Sequence, residues 1–292
     1  MKHEKIIIIG AGPAGIAAAI QLQHFGFSPI LFEKGDIGGL LRNAQSIQNF
    51  PGISYGISGI ELIAIFKDHL EKKHIKIIKS YIEKIDFNNQ FILFSDTETF
   101  TADRVIIATG TSPLSYSCAN NKNVFYEVYP IRQVENKTIA IVGAGDAAFD
   151  YANTLLPKNK VIILNRSERI KANRTLYNEV MEKKKNLVYI KNVTIENIQT
   201  NESGSIRLIL TNNESHEVDY VIAAIGRKPT MPEFTQKLQE SKEYLQIKKK
   251  LLFIGDVKNN HFRQSSISIG EGVKAAMEMY DVLTENEEHA CD

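Results

Sequence analysis

Tryptophan is absent from this 292-residue chain, and cysteine occurs only twice, as Cys118 and Cys291. Two cysteines so far apart cannot build a disulfide framework or a four-ligand zinc site. Their scarcity fits a reducing, cytoplasmic setting. Net charge is scarce too. Lys and Arg number 35 against 34 Asp and Glu, a formal +1, so no global field recruits nucleic acid or an anionic membrane. The seven His have no paired metal-ligand spacing, and no metal is expected. Hydrophobic residues at 43% and charged residues at 24% exclude long disorder, collagen-like repeats and a membrane-embedded body. At roughly 150 residues per domain, the length points to two domains.

The start of the chain imitates a short secretory signal, with Met1-Lys-His-Glu-Lys ahead of the apolar stretch from Ile6 to Ile20. Gly10, Gly12, Pro13 and Gly15 interrupt that stretch, and no A-x-A site with a mature start follows. It reads instead as a strand entering a nucleotide-binding turn.

What the chain does contain is an internal duplication. Ile6–Ile9 reads as a buried parallel strand, Gly10-Ala-Gly-Pro-Ala-Gly15 as a turn into an Ala-rich helix ending near Gly26, and Ile30–Glu33 as the next strand. The pattern recurs as Thr138–Val142, Gly143-Ala-Gly-Asp-Ala-Ala148, a helix to about Leu156, and Val161–Leu164. Each copy also has a late strand of one form, Asp103-Arg-Val-Ile-Ile-Ala-Thr-Gly110 and Asp219-Tyr-Val-Ile-Ala-Ala-Ile-Gly226. A lone G-x-G-x-x-G is weak, because glycine punctuates any turn. Two copies with matching downstream strands are a strong dinucleotide-binding signal.

Elsewhere, periodicity predicts helices over Ser58–Lys73 and Thr175–Lys185, and a last helix from about Gly270 to Leu283. It predicts strands at 81–87, 90–94, 187–190, 194–198 and 206–210. Leu251–Ile254, ending at Gly255-Asp256, is expected to return to the first domain. The crossings are placed in the polar stretches 112–123 and 240–244, and the tail 285–292 is expected to be loose.

The two turns share their physics. The first glycine permits the turn, the second admits a pyrophosphate, the third lets helix pack on strand, and the helix N-terminus offers N–H groups to phosphate. The ribose partner differs. Twenty-three positions after the first glycine stands Glu33 in one copy, which suits an unphosphorylated ribose such as that of FAD. The same offset in the other copy lands on Arg166, with Lys171 nearby, which favours a 2′-phosphate; Glu168 partly offsets that field. The sites therefore read as FAD and NADP(H), the latter favoured over NAD(H).

Over nearly its whole length the chain resembles the thioredoxin-reductase-like flavoproteins. The matching segments are Gly10–Gly15, Glu33-Lys34, Gly38-Gly39, Asn49-Phe-Pro-Gly52, Ala108-Thr-Gly110, Gly143–Asp146, Gly255-Asp256 and Arg263-Gln264. The resemblance implies an α/β fold with two Rossmann-like dinucleotide-binding domains of three-layer ββα type, the second inserted in the first. Residues 1–113 and 244–292 would form the FAD domain and 114–243 the NAD(P)H domain. It implies FAD contacts from Gly10, Gly12, Pro13, Ala14, Gly15, Glu33, Lys34, Gly39, Leu40, Asn49, Ile82, Thr109, Gly110, Gly255, Asp256, Gln264 and Ser265. Asp256 would meet the ribityl chain, and Asn49, Thr109 and Gln264 the flavin. Pyridine-nucleotide contacts would come from Gly143, Gly145, Asp146, Ala147, Arg166, Lys171 and Gly226. A homodimer is also implied.

The departures carry as much information. The family's C-x-x-C would fall at 126 and 129, where this chain has Tyr126-Glu-Val-Tyr129. Reduction of thioredoxin by that route is excluded. Tyr126 and Tyr129 are either flavin-face residues or ordinary core filling. Cys118 and Cys291 are either a replacement redox pair or two unrelated thiols. The usual His-Arg-Arg run is Asn165-Arg166-Ser167, one cation short. The expected activity is hydride transfer from NAD(P)H to FAD, with electrons passed to an external acceptor, foremost a ferredoxin- or flavodoxin-type protein steered by Lys183–Lys185 and Lys248–Lys250, otherwise a small oxidant. Two alternatives stand beside it. One is a low-molecular-weight disulfide reductase, a subgroup linked to a Cys inside the first glycine turn, where this chain has Ala14. The other is a nucleotide-binding redox sensor without rapid turnover.

Overall fold

The structure, a computed structural model, describes residues 5–116, 122–201 and 205–288. The chain divides into two compact units. Unit 1 comprises residues 1–42, 46–112 and 228–292, and unit 2 residues 43–45 and 113–227.

Unit 1 begins with β1 (Ile6–Ile9), α1 (Pro13–His24), β2 (Ile30–Glu33), α2 (Gly59–Lys72) and β3 (Lys76–Lys79). An antiparallel meander follows, β4 (Ile82–Asn88), β5 (Gln90–Ser95) and β6 (Thr99–Ala102), and then β7 (Arg104–Ile107). The chain leaves through β8 (Thr111–Pro113). Unit 2 holds β9 (Val124–Phe125), β10 (Thr138–Val142), α3 (Asp146–Leu155), β11 (Lys160–Asn165), α4 (Arg174–Glu182) and β12 (Leu187–Lys191). It continues with the meander β13 (Ile195–Thr200), β14 (Ile206–Leu210), β15 (Ser215–Val218), and with β16 (Tyr220–Ala223). The return runs through β17 (Arg227–Pro229), β18 (Glu233–Phe234), α5 (Gln236–Ile247), β19 (Leu251–Phe253) and α6 (Ser265–Glu288).

Each unit has a parallel five-stranded sheet, in the orders β19-β7-β1-β2-β3 and β12-β11-β10-β16-β9. One face of each sheet is covered by helices and the other by the meander. The split is visible in the cores: Ile6 and Ile8 pack with α1 and α6, whereas Ile7 and Ile9 pack with the meander and α5. All four isoleucines of β1 are buried, because a strand sandwiched on both faces has no polar side. Unit 2 repeats the arrangement, with Ile139 and Ile141 toward α3 and Ala140 toward the meander. This is the expected three-layer architecture, twice.

The duplication extends to single hydrogen bonds. The Asp103 carboxylate accepts the Lys5 N–H ahead of β1, and the Asp219 carboxylate accepts the Thr138 N–H at the start of β10, both at 2.8 Å. α2 starts on a capping box, Ser58 and Glu61 exchanging side-chain and backbone bonds, which satisfies donors that a helix start leaves open.

The return to unit 1 comes earlier than the sequence reading placed it. The boundary falls between Arg227 and Lys228, and residues 240–244 lie inside α5. β18 pairs with β4, and α5 buries Leu238 and Leu245 under the meander. Arg104, 4% exposed, donates to the carbonyls of Lys248 and Lys249 beyond the end of α5. The polarity of 240–244 is the wet face of a docked helix. The last helix is also longer than expected, reaching Glu288, and among the described residues no helix is long and apolar enough to cross a membrane.

Candidate functional site

In unit 1, β1 lies centrally between β2 and β7, and the turn after it opens α1. Gly10 sits at φ +106, and a Cβ there would lie 2.4 Å from the Ala108 carbonyl oxygen. A Cβ on Gly15 would lie 1.9 Å from the Gly10 oxygen. These two positions are closed to any side chain. Gly12 differs: no atom lies within 4 Å of its Cβ direction, and it caps α1 without a side-chain hydrogen bond. The first turn of α1, opened by Pro13, thus keeps backbone donors for a phosphate chain that the open space at Gly12 admits.

Glu33 ends β2 beside this turn. Its two carboxylate oxygens accept the Ala11 and Gly35 N–H groups, each at 2.8 Å. Both oxygens keep lone pairs for ribose hydroxyls. Gly10, Glu33, Lys34, Ile82 and Thr109 line one narrow cleft. Tyr81, which the sequence reading passed over, lies there with the Lys34 ammonium 5.3 Å from its ring centre. Thr109 donates to the Thr230 carbonyl, and Gly110 is held at φ +64. Gly39 adjoins the turn, 3.5 Å from the Gly12 Cα to its Cβ position, with Leu40 next in the same 3-10 segment.

From the end of the unit, Gly255, φ +71, packs on Ala14, where a Cβ would approach the Ala14 methyl to 2.8 Å. Its N–H donates to the Glu271 carboxylate at 2.6 Å, and Ser268 reaches Asp256 at 3.4 Å. Gln264 precedes α6 and Ser265 begins it. Asn49 is exposed in the segment before α2. The donor set, the glycine cradle and the carboxylate fit a dinucleotide with an unmodified ribose.

Unit 2 rebuilds the cradle with other electrostatics. Gly143 sits at φ +131, its Cβ direction 2.3 Å from the Ala224 oxygen, and Gly145 faces open space. Ala148, at the third position, is fully buried. Asp146 opens α3 and accepts the Asn173 backbone and side-chain N–H groups at 2.7 and 3.2 Å; Ala147 beside it is exposed. Asn165 is buried, donating to the Arg169 carbonyl at 3.1 Å, while the Lys171 N–H reaches the Ala144 carbonyl at 2.9 Å. The loop carrying Arg166 and Lys171 is thereby tied to the glycine turn. Both side chains are exposed, and neither forms an ion pair among the described residues. The competing acid, Glu168, accepts instead from Asn192 at 2.9 Å. Gly226 lies at φ +120 after β16. Burial, with a smaller contribution from Asp146, pushes the Asp150 carboxyl up to about 6.

The 126–129 segment is locked in place. The Tyr126 hydroxyl accepts the Tyr116 N–H at 2.9 Å. The Tyr129 N–H donates to Asn43 at 3.1 Å, and the Arg132 guanidinium lies 3.8 Å from the Tyr129 ring centre. Glu127 accepts from Asn43 at 3.2 Å and from Arg227 at 3.4 Å. Asn43, Glu127 and Arg227 were not singled out in the sequence, since three separated polar residues carry no pattern. Both tyrosines are half-buried, built into this network. Cys118 and Cys291 lie outside the described residues.

Comparison with known proteins places these features. A model for pyridine nucleotide-disulphide oxidoreductases matches residues 4–272. Thioredoxin reductases of Buchnera aphidicola from Schizaphis graminum and from Acyrthosiphon pisum are 31% and 30% identical to the chain. The alignments cover 94% and 95% of it and 96% of each relative. Among solved structures, thioredoxin reductase from Lactococcus lactis superposes with a TM-score of 0.83 at 22% identity, covering 97% of this chain and 99% of the other. Bacillithiol disulfide reductase from Bacillus cereus gives 0.72 at 16% identity, covering 95% and 99%.

These relatives overturn the expectation of a ferredoxin- or flavodoxin-type acceptor, because the proteins this chain resembles are disulfide reductases. One lysine of each basic run that suggested an acidic protein partner is also engaged internally. Lys249 pairs with Glu278 at 2.7 Å, and Lys183 donates to Asn153.

Proposed function

The chain belongs to the pyridine nucleotide-disulphide oxidoreductase family, on its thioredoxin-reductase-like branch, and we propose that it reduces a low-molecular-weight disulfide with NADPH, without a dithiol of its own. Family membership implies FAD and a pyridine nucleotide as cofactors. The observation that carries the proposal is Tyr126-Glu-Val-Tyr129, held by Asn43, Arg132 and Arg227, where the family keeps its cysteine pair. Without that relay, the acceptor itself must approach the site of electron delivery, and a compact disulfide does so more readily than a folded protein.

Bound FAD supplies the two-electron chemistry. The chain's residues hold and orient. The α1 N-terminus with Gly10–Gly15 receives the FAD pyrophosphate, Glu33 the ribose hydroxyls, and Asp256 the ribityl chain. The α3 N-terminus with Gly143 and Gly145 receives the NADPH pyrophosphate, and Arg166 and Lys171 its 2′-phosphate. In the net reaction NADPH, one proton and RSSR give NADP⁺ and two RSH. The S–S bond breaks, the nicotinamide is oxidised, and one of the two thiol protons comes from solvent. A homodimer in a cytoplasmic, reducing setting completes the reading.

The test is anaerobic. NADPH should bleach the flavin rapidly, and a panel of small disulfides, beginning with cystine and bacillithiol disulfide, should restore the colour in stoichiometric amounts. A reduced flavin that no small disulfide reoxidises would defeat the proposal; a flavin that NADPH does not reduce would point to the redox-sensor alternative.

A further inference from the structure

β19 is the outer strand of the unit 1 sheet, and its free side opens on a cleft of about 540 Å³. The cleft exists because the flanking helices serve opposite faces of the sheet. α5 packs with the meander and α6 with α1, which leaves the edge between them uncovered. Leu252, Phe253 and Ile254 form its apolar floor, and its volume is that of a small-molecule site.

The rim is basic. Lys242, Lys249, Lys258 and Lys274 stand against Glu271 and Glu278, an excess of two positive charges. Glu278 is shared by Lys249 at 2.7 Å and Lys274 at 3.8 Å. Glu271 faces Lys258 at 3.4 Å while its other oxygen accepts the Gly255 N–H. Lys242 has no carboxylate partner among the described residues; its ammonium lies 4.9 Å from the Phe253 ring centre. Lys249 sits at φ +52, a left-handed conformation that glycine or asparagine would hold with less strain. Lysines also blunt a sheet edge against strand pairing, so charge by itself makes no ligand site. Here the volume, the aromatic floor and the double use of both carboxylates accompany it.

We propose that this cleft binds a small organic anion, with an apolar or flat body on Leu252, Phe253 and Ile254 and a carboxylate, sulfonate or phosphate group answered by Lys242 and Lys274. No residue of either glycine turn lines the cleft, and the proposal does not depend on the identity of the disulfide acceptor.

The probe is 8-anilinonaphthalene-1-sulfonate, an aromatic sulfonate, titrated into holoenzyme saturated with FAD and oxidised pyridine nucleotide. Saturable binding near one site per chain is expected, weakened about tenfold in Lys242→Gln/Lys274→Gln and unchanged in Lys67→Gln, which lies on α2. The charge-reversed pair Lys242→Glu/Lys274→Glu should abolish it, with far-UV circular dichroism and flavin absorbance confirming that each variant folds. Inorganic sulfate should compete weakly, through the head group alone. Binding that is absent, or equal in all variants, overturns the proposal. Binding of an acidic peptide without the sulfonate also overturns it, in favour of strand pairing at the edge.

Discussion

Asp150 offers a quantitative test of unit 2. It lies on α3, one turn beyond Asp146, with its carboxyl pushed up to about 6 from an ordinary 3.8, first by burial and then by the Asp146 charge. A difference of about two pH units corresponds to about 3 kcal/mol. Relaxation around a half-buried group reduces this to about 1.5–3 kcal/mol. The raised value means that the folded state binds the proton more tightly than the unfolded chain does. Below about pH 4 both states are protonated and Asp150 costs nothing. As pH rises through 4 to 6 the wild type loses stability, and above about 6 the loss is complete. Asp150→Asn does not titrate, so its advantage over wild type should be near zero at pH 4 and grow to about 1.5–3 kcal/mol at pH 7.5. Urea unfolding at both pH values reads this. With no tryptophan in the chain, far-UV circular dichroism and tyrosine fluorescence are the probes, compared for coincidence because two units need not unfold together. An advantage independent of pH, or a variant less stable at pH 7.5, would refute the reasoning.

Gly15→Ala should purify without flavin, since its Cβ would sit 1.9 Å from the Gly10 oxygen; retention of FAD at wild-type affinity would contradict the cradle. Arg166→Gln with Lys171→Gln should weaken NADPH about tenfold or more and leave NADH nearly unchanged, as two exposed cations within contact of a phosphate contribute about 1 kcal/mol each. Equal losses for both nucleotides in a binding titration would remove the 2′-phosphate assignment. Cys118→Ser with Cys291→Ser should leave turnover intact, whereas a lost half-reaction would install those thiols as the missing pair. Ser58→Ala should destabilise unit 1 by about 1 kcal/mol by removing the capping box, read as a lower urea midpoint at unchanged slope.

Some of this was legible in the residues because the physics is local. The glycine spacings, the isoleucine runs and the acid or base at the strand end each follow from a short stretch of chain, and Asp103 and Asp219 repeat the duplication at its late strands. Other features were not legible. Leu238 and Leu245 do not by themselves say which sheet α5 covers, so the return to unit 1 was placed some fifteen residues late, at 244 instead of 228. The expected electron acceptor failed for a related reason. Lys248–Lys250 looked available to a partner, and only the fold shows Lys249 turned to Glu278.

The sequence by itself determined the two glycine turns, the three-layer fold and the absence of a C-x-x-C pair, since each depends on residue type and spacing that no packing can alter. Tertiary structure decided the rest. It brought Asn43, Glu127 and Arg227 together around the tyrosines, turned Glu168 away to Asn192, raised the Asp150 carboxyl, and left the edge of β19 uncovered between α5 and α6. Those outcomes depend on which distant groups share a neighbourhood, and burial and electrostatics act only once the chain has folded.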